Sequence, residues 1–257
     1  MKKSFFAVTE ISGEQISMEQ LERMEHRYTW ARTYCEGKDV AETACGTGQG
    51  LGLLSEVAKS VEAGDFDDRI LNIAKLHYED RVNLDQIDAM NLPYQNNSKD
   101  IIINFEAIYY LKSPEKFLSE CNRVLRSDGK ILIVTANKDL TDFNPSPNSY
   151  KYFGVVELVK LLSANNFDCE LFGYLSVRNV SIKQRLFRPI KQLVVKLGLM
   201  PKTMRSKKLF KRIIFGKLVT MPNELELDIK KYTEPTLIEN ESPDLQHKVI
   251  YCVASRI

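Results

Sequence analysis

Four glycines at alternate positions, between two patterned segments, constrain the fold of this chain more than any other feature. They are Gly46, Gly48, Gly50 and Gly52. Residues 40–43 before them are typical of a short buried strand, and residues 51–57 after them repeat leucine and valine at helical spacing. Glycine permits a tight turn and lets backbone amides and a helix N-terminus approach a ligand closely. The sequence therefore predicts a ligand-binding loop that joins a strand to a helix.

The spacing of these glycines excludes two common nucleotide-binding motifs. The dinucleotide fingerprint G-x-G-x-x-G requires a third glycine where Leu51 stands or, counted from Gly48, where Leu53 stands. No G-x-x-x-x-G-K-[ST] sequence occurs either, so the phosphate-binding loop of that class is excluded.

Strand-like and helical patterns alternate along most of the chain. Helical spacing covers residues 18–33, 70–77, 113–128 and 154–164, and strand-like runs cover 61–66, 83–87, 101–105, 131–134, 169–177 and 248–255. Strands that alternate with helices form a parallel sheet with crossover helices on both faces. The sequence therefore predicts an α/β fold with a Rossmann-like, doubly wound sheet.

The segment around the loop carries a more specific pattern. Glu42-x-Ala44-Cys45-Gly46-Thr47-Gly48 resembles motif I of the class I S-adenosylmethionine-dependent methyltransferases, [DE]-x-[GA]-x-G-x-G, in particular the small-molecule group with methyltransferase domain 11. The resemblance runs through residues 38–136. It includes the acid after the second strand, Asp65, a D-A-x-x-L-P-like element at 88–93, the fourth strand at 100–107 and an R-V-L-K-P-G-G-like turn at 123–130.

This resemblance implies S-adenosyl-L-methionine as cofactor. Asp65 would accept the ribose hydroxyls, although Asp67 and Asp68 follow closely enough to compete for that assignment. Tyr28 would either close over the cofactor or serve as a core aromatic. The cofactor-binding residues implied by the resemblance are Tyr28, Glu42, Ala44, Cys45, Gly46, Thr47, Gly48, Asp65, Phe66, Asp88, Ala89, Met90 and Asn104.

The resemblance implies fewer residues for the acceptor site. In this fold acceptors lie after the fourth strand, where Glu106, Tyr109 and Tyr110 stand. The two tyrosines would serve equally as packing residues at a helix start. Methyl transfer needs a general base only when the nucleophile must lose a proton early, and no residue declares itself as that base. We expect no metal, because the three histidines and five cysteines lack ligand spacing.

A strongly basic segment interrupts the end of the predicted fold. The resemblance implies an antiparallel hairpin of the last two strands, yet residues 178–246 separate them here. Thirteen basic residues lie between Arg178 and Lys217, and none of the residues 171–223 is acidic. Apolar side chains recur at helical spacing, first at 182–197 and then from 209 to Leu218. We expect residues 1–177 and 247–257 to form the methyltransferase domain with an N-terminal helical cap, and 178–246 a basic, mainly helical insertion.

Several roles are open to this insertion. It could cover a phosphorylated substrate, lie on an anionic membrane, follow RNA phosphates, or pack as a helical cap with solvated lysines. The formal net charge of +2 conceals the basic character of this segment, because the rest of the chain has only 23 basic residues and all 34 acidic ones.

Composition excludes several classes of protein. Hydrophobic residues make up 44% of the chain and charged residues 27%, as in globular domains, and no run reaches the 18 apolar residues of a spanning helix. The apolar run after the basic start has four residues, too few for a secretory signal. An odd number of cysteines without C-x-x-C spacing favours reduced thiols and a cytoplasmic location.

The sequence thus predicts methyl transfer to a small, anionic or amphiphilic acceptor, such as a sugar, a glycan, or a lipid or quinone precursor. An RNA methyltransferase is the first alternative, although no N-P-P-Y motif follows the fourth strand. The second is a non-catalytic cofactor-binding protein that holds a partner or membrane through its basic helices.

Overall fold

The computed structural model describes residues 10–146, 148–177, 218–227 and 232–257. The helices in these ranges are α1 (Met18–Cys35), α2 (Leu51–Ser55), α3 (Asp68–Tyr78), α4 (Pro114–Val124) and α5 (Val155–Ser163), with a 3₁₀ turn at Ile108–Tyr110. The strands are β1 (Gln15–Ser17), β2 (Asp39–Glu42), β3 (Ser60–Asp65), β4 (Asn83–Gln86), β5 (Lys99–Phe105), β6 (Leu125–Ala136), β7 (Phe167–Ser176), β8 (Leu218–Thr220), β9 (Thr236–Ile238) and β10 (His247–Arg256).

Eight of these strands form one sheet in the order β4-β3-β2-β5-β6-β10-β7-β9. The five strands from β4 to β6 run parallel to one another. Strand β10 runs antiparallel to both β6 and β7, between which it lies, and β9 pairs antiparallel with β7 at the edge. This arrangement confirms the predicted α/β fold with a mostly parallel sheet and an antiparallel last strand.

The central strands are apolar because helices cover both of their faces. Ile102, Ile103, Ile131, Leu132 and Ile133 are fully buried, as expected of parallel strands inside a doubly wound sheet. One core cluster packs α4 and α5 on one face of the sheet, and a second packs α1 and α2 on the other.

Helix α1 is fixed at its start and along its inner face. Ser17 caps it, because the Ser17 hydroxyl accepts the Gln20 amide hydrogen while the Gln20 side chain accepts that of Ser17. Trp30 is 2% exposed and meets the ring of Tyr251 edge-on at 5.0 Å between centroids. The only tryptophan is therefore a packing residue, and α1 is held firmly enough for its next face to shape a site.

Two predicted boundaries were wrong. Helix α4 ends at Val124 and not near Asp128, because Leu125 already pairs with Lys99 of β5 and the chain continues as a strand. Leu218, predicted on a helical face, begins β8 and pairs with Ser17 of β1. A three-residue strand carries no periodicity of its own, so this pairing depends on the distant partner.

The described part of the insertion contributes strands and no helix. Strand β8 joins the start of α1 through β1, and β9 extends the main sheet beside β7. The helical patterns predicted at 182–197 and 209–214 lie outside the described residues, so the domain division stays a prediction. No helix in the described ranges has the length and apolar character needed to cross a membrane.

Candidate functional site

A cavity of about 590 Å³ opens where β2, β3 and β5 end. The carboxyl ends of parallel strands meet at one edge of a sheet, which is where ligands bind in open α/β folds. Thirteen of the sequence-predicted site residues line this cavity: Tyr28, Ala44, Cys45, Gly46, Asp65, Phe66, Asp88, Ala89, Met90, Asn104, Glu106, Tyr109 and Tyr110. The other three, Glu42, Thr47 and Gly48, lie behind the lining.

The glycine loop adopts a backbone that needs glycine at two positions. Gly46 and Gly48 have φ angles of +60° and +84°, in the left-handed region. A Cβ atom on Gly48 would also lie 2.9 Å from the ring of Tyr78. The Tyr78 hydroxyl donates to the carbonyl of Gly48 at 2.7 Å and accepts from the amide of Gly52 at 3.1 Å. Tyr78 therefore holds the loop from behind and leaves its front to the cavity.

Glu42 lies beneath the loop at the end of β2. It is fully buried, and its Oε1 accepts a hydrogen bond from Tyr28 at 2.7 Å. Oε2 has no hydrogen-bond partner among the described residues. Burial, with a smaller contribution from the charge of Asp65, raises the pKa of Glu42 to about 7. Tyr28 is 3% exposed and also lines the cavity, so it is a core aromatic, and its contact with a cofactor stays a prediction.

Asp65 stands between the loop and the cavity. Its Oδ2 accepts from the amide of Gly46 at 3.1 Å, and its Oδ1 accepts from the amide of Asp67 at 2.9 Å. Burial raises the pKa of this carboxyl group. Asp67 instead caps α3 and pairs with Arg69, and Asp68 does not line the cavity. Of the three acids, Asp65 alone lines the cavity.

The next wall comes from the loop after β4. Asp88 Oδ1 accepts from the amide of Met90 at 2.9 Å, which fixes a tight turn. Phe66 is 39% exposed and lines the cavity with Ile87 and Ala89. Apolar side chains beside a polar turn suit a flat, partly polar ring such as a nucleobase.

Asn104 offers an unused acceptor at the end of β5. Its Nδ2 donates to the hydroxyl of Thr43 at 3.1 Å, whereas its buried Oδ1 has no partner among the described residues. Buried polar atoms are nearly always paired in folded proteins. An orphaned acceptor on a cavity wall therefore fits a ligand that brings a donor, such as an ammonium group.

The far end of the cavity is lined by the acceptor residues predicted from sequence. Glu106 has a φ of +51°, a region that non-glycine residues occupy at some cost. Its Oε1 accepts from Arg23 at 2.7 Å and its Oε2 from the Tyr109 hydroxyl at 3.0 Å. Tyr109 and Tyr110 belong to the 3₁₀ turn and also line the cavity, and their role toward an acceptor stays a prediction.

Sequence reasoning missed the face of α1. Arg23 and Arg27 lie one turn apart on this helix and both line the cavity. Two arginines at helical spacing just before Tyr28 could have indicated this wall of the cavity. Arginine is seldom buried unless its charge is paired. Glu10, Gln20, Gln49, Lys112, Ser146 and Tyr150 also line the cavity and were not predicted.

Comparison with known proteins also indicates a methyltransferase domain. Residues 41–133 match a family described as a methyltransferase domain. A protein of Mycolicibacterium smegmatis named "Probable S-adenosylmethionine-dependent methyltransferase" is 32% identical over 155 residues, which cover 58% of this chain and 56% of that protein. This chain thus spans little more than half of that relative.

Two further proteins match over more of the chain. A demethylmenaquinone methyltransferase of Lactobacillus johnsonii is 26% identical over 208 residues, which cover 76% of this chain and 77% of that protein. A crystal structure of a SAM-dependent methyltransferase from Archaeoglobus fulgidus superposes with a TM-score of 0.57 at 15% identity, covering 92% of this chain and 94% of that one. The structural match shows a shared fold.

The glycine loop, the acid after β3, the turn after β4 and the order of the sheet all lie within or beside the matched region. S-adenosyl-L-methionine is the cofactor of the family they define. Residues 41–133 match a methyltransferase domain, and through this domain the chain is similar to the class I S-adenosylmethionine-dependent methyltransferases.

Proposed function

We propose that this protein binds S-adenosyl-L-methionine in the cavity and transfers its methyl group to a small acceptor held near Glu106. The observation that carries the proposal is the continuity of the site. One cavity extends from Asp65 and Asp88 past Asn104 to Glu106 and Tyr109. A cavity of this shape would hold a nucleoside at one end and an acceptor at the other.

Each part of the cofactor has a matching group on the wall. Asp65 would accept the two ribose hydroxyls, and the turn at 88–90 with Phe66 would hold the adenine. Asn104 Oδ1, which lacks a partner among the described residues, would accept from the ammonium of the methionine part. The glycine loop, which lines the cavity at Gly46, would pass beneath the centre of the cofactor.

The bound cofactor supplies a methyl group activated by a positively charged sulfonium. What this chain contributes is alignment and exclusion of water, which together are worth about 7–11 kcal/mol in well-oriented reactions. Buried Tyr28, Phe105 and Met24 line the middle of the cavity and would keep water from this region. Glu106, fixed by two donors, would orient a hydroxyl or amine on the acceptor.

The acceptor we propose is small and anionic or amphiphilic. Lys112 places positive charge at that end, where the charge of Arg23 is balanced by Glu106, and Tyr109, Tyr110 and Tyr150 supply ring surface. A quinone precursor fits this combination, and the relative from Lactobacillus johnsonii is named for such a substrate. Sugars, glycans and lipid precursors remain within the proposed class.

We also propose a cytoplasmic location and a contact with anionic surfaces. All five cysteines are free thiols in the described residues, as suits a reducing compartment. The basic residues 178–217 leave the described fold after Val177 and re-enter at Leu218, next to strand ends on the cavity side. A segment anchored there could meet a phosphorylated substrate or an anionic membrane beside the acceptor.

Calorimetric titration with S-adenosylhomocysteine tests the proposal directly. We expect a single site, and Asp65→Ala should weaken it by about 10- to 100-fold because hydrogen bonds to a charged group are lost. Asp68→Ala is the matched control, since Asp68 is exposed outside the cavity and should leave the affinity unchanged. No heat and no thermal shift with the wild-type chain would refute the proposed function.

A further inference from the structure

Arg27 is buried in the cavity wall without a close counter-charge. It is 8% exposed, and its Nε has no hydrogen-bond partner among the described residues. Its ion pair in the described structure is with Glu10, whose Oε2 lies 3.9 Å from Arg27 Nη2. That distance is too long for a hydrogen bond. A buried guanidinium held this loosely is costly unless a ligand completes it.

The arginine one turn earlier shows the contrast. Arg23 lines the same cavity but is paired with Glu106 at 2.7 Å. Arg23 is therefore satisfied by the protein itself, whereas Arg27 is satisfied only in part. Of these two arginines, Arg27 is the one that still has hydrogen-bonding groups to offer a ligand.

Arg27 also lies on the glycine-loop side of the cavity. Its neighbour in the chain, Tyr28, bonds Glu42 at the loop entrance, and Thr43 after Glu42 accepts from Asn104. Gln49 of the loop donates to the carbonyl of Glu10 at 2.9 Å. An orphaned acceptor on Asn104 and an under-used guanidinium on Arg27 are the two halves of a site for an amino acid, one for the ammonium and one for the carboxylate.

We propose that Arg27 binds the carboxylate of the cofactor's methionine part and that Glu10 occupies the same guanidinium as an internal competitor until the cofactor arrives. The inference rests on the proposed function, since it assigns a residue to that cofactor. A guanidinium fork matches a carboxylate with two parallel hydrogen bonds, which the 3.9 Å contact with Glu10 does not make. The Glu10 side chain is also held by Gln20 at 3.0 Å, so it has a second partner when displaced.

This assignment predicts effects of opposite sign at the two positions. Arg27→Met should weaken S-adenosylhomocysteine binding by about 10- to 100-fold, the value of charge-assisted hydrogen bonds. Glu10→Gln should tighten it by a few-fold, because the competing carboxylate is gone. Arg32→Met is the matched control: it removes an equal charge from the same helix outside the cavity lining and should change the affinity by less than about threefold.

The decisive probe is S-adenosylhomocysteine without its carboxylate, 5′-deoxy-5′-(3-aminopropylthio)adenosine, measured by calorimetry beside the parent compound. Wild-type protein should bind the probe more weakly than the parent, and Arg27→Met should bind both alike. The affinity of the probe also reports whether the variant is folded. Arg27→Lys, which keeps the charge and loses the fork, should fall between wild type and Arg27→Met.

Three results would overturn the inference. They are equal loss of parent and probe in Arg27→Met, no loss of either, and weaker binding in Glu10→Gln. In each case binding by the wild type would leave the proposed function standing. If the wild type bound neither compound, the proposed function would fail first.

Discussion

The hydroxyl of Tyr28 donates a hydrogen bond to Glu42 Oε1 across 2.7 Å, and this contact joins α1 to the end of β2. Both side chains are buried, and the ring of Tyr28 also covers Gly50 of the loop. One side chain thereby links the helical cap, the strand and the loop at the floor of the cavity.

Removal of that hydroxyl should cost stability. Tyr28→Phe leaves the buried Glu42 carboxyl without its donor, and an unsatisfied buried acceptor costs about 1–3 kcal/mol. Urea unfolding measures this loss. Tyr94→Phe, which removes a buried hydroxyl without a partner among the described residues and outside the cavity lining, is the control and should change the free energy of unfolding by less than about 0.5 kcal/mol. Equal effects of the two variants would show that the Tyr28–Glu42 bond contributes nothing.

Glu42 should make stability depend on pH. Its pKa is raised by burial from 4.5 to about 7, so the folded state holds this proton more tightly than the unfolded state. The stabilisation from the proton is complete below about pH 4.5 and is lost as the pH rises to about 7. The interval corresponds to roughly 3 kcal/mol.

Glu42→Gln should remove this dependence. The free energy of unfolding of the variant, relative to wild type, should therefore increase between pH 4.5 and 7 and level off above. Urea titrations at several pH values measure it, with Glu36→Gln as an exposed control from the end of α1. A constant difference between Glu42→Gln and wild type across this range would contradict the buried, protonated state of Glu42.

Two loop glycines should respond differently to alanine. A Cβ on Gly50 would overlap the buried ring of Tyr28, whereas a Cβ on Gly52 would meet only the end of the Glu224 side chain. Gly50 has a φ of −94°, so the penalty there is steric and not conformational. We expect Gly50→Ala to lose about 1–3 kcal/mol in thermal or urea unfolding. Gly52→Ala should lose less, because movement of Glu224 disturbs only its partly exposed pairs with His77 and Arg81. The reverse order would refute the packing described.

Tyr78 should matter for the cofactor without touching it. Tyr78→Phe removes the hydrogen bonds to the Gly48 carbonyl and from the Gly52 amide. We expect a loss of about 1–3 kcal/mol in stability and faster hydrogen exchange of the loop amides. Exchange at α5, on the other side of the molecule, is the internal control. Unchanged loop exchange would mean that the glycine loop keeps its shape without Tyr78.

Local patterns predicted the main sheet because they agree with the tertiary structure there. Ile101–Ile103 are apolar in sequence and buried in the fold, and the positive φ angles of Gly46 and Gly48 follow from the loop that their spacing indicated. The sequence also indicated Asp65 ahead of Asp67. In the structure Asp65 lines the cavity whereas Asp67 caps a helix, and the ribose contact of Asp65 stays a prediction.

Long-range contacts account for what the sequence did not reveal. Strands β1, β8 and β9 have three residues each, too few for a periodic pattern, and form only because distant segments meet. Arg27 was overlooked because its incomplete pairing is visible only in the structure, where Glu10 lies too far from it for a hydrogen bond. The carboxyl group of Glu106 was evident from the sequence, but its hydrogen bonds from Arg23 and Tyr109 depend on two other elements.

The place of β10 between β6 and β7 has a consequence for how this family can vary. Residues 177–246 separate two strands that pair along ten residues each. Closing even a fully flexible loop of that length costs only about 3 kcal/mol more entropy than a two-residue turn, because the cost rises with the logarithm of length. The free energy of the strand pairing can offset this entropic cost. One segment could therefore be exchanged for another between these strands while the strand pairing and the sheet stay as they are.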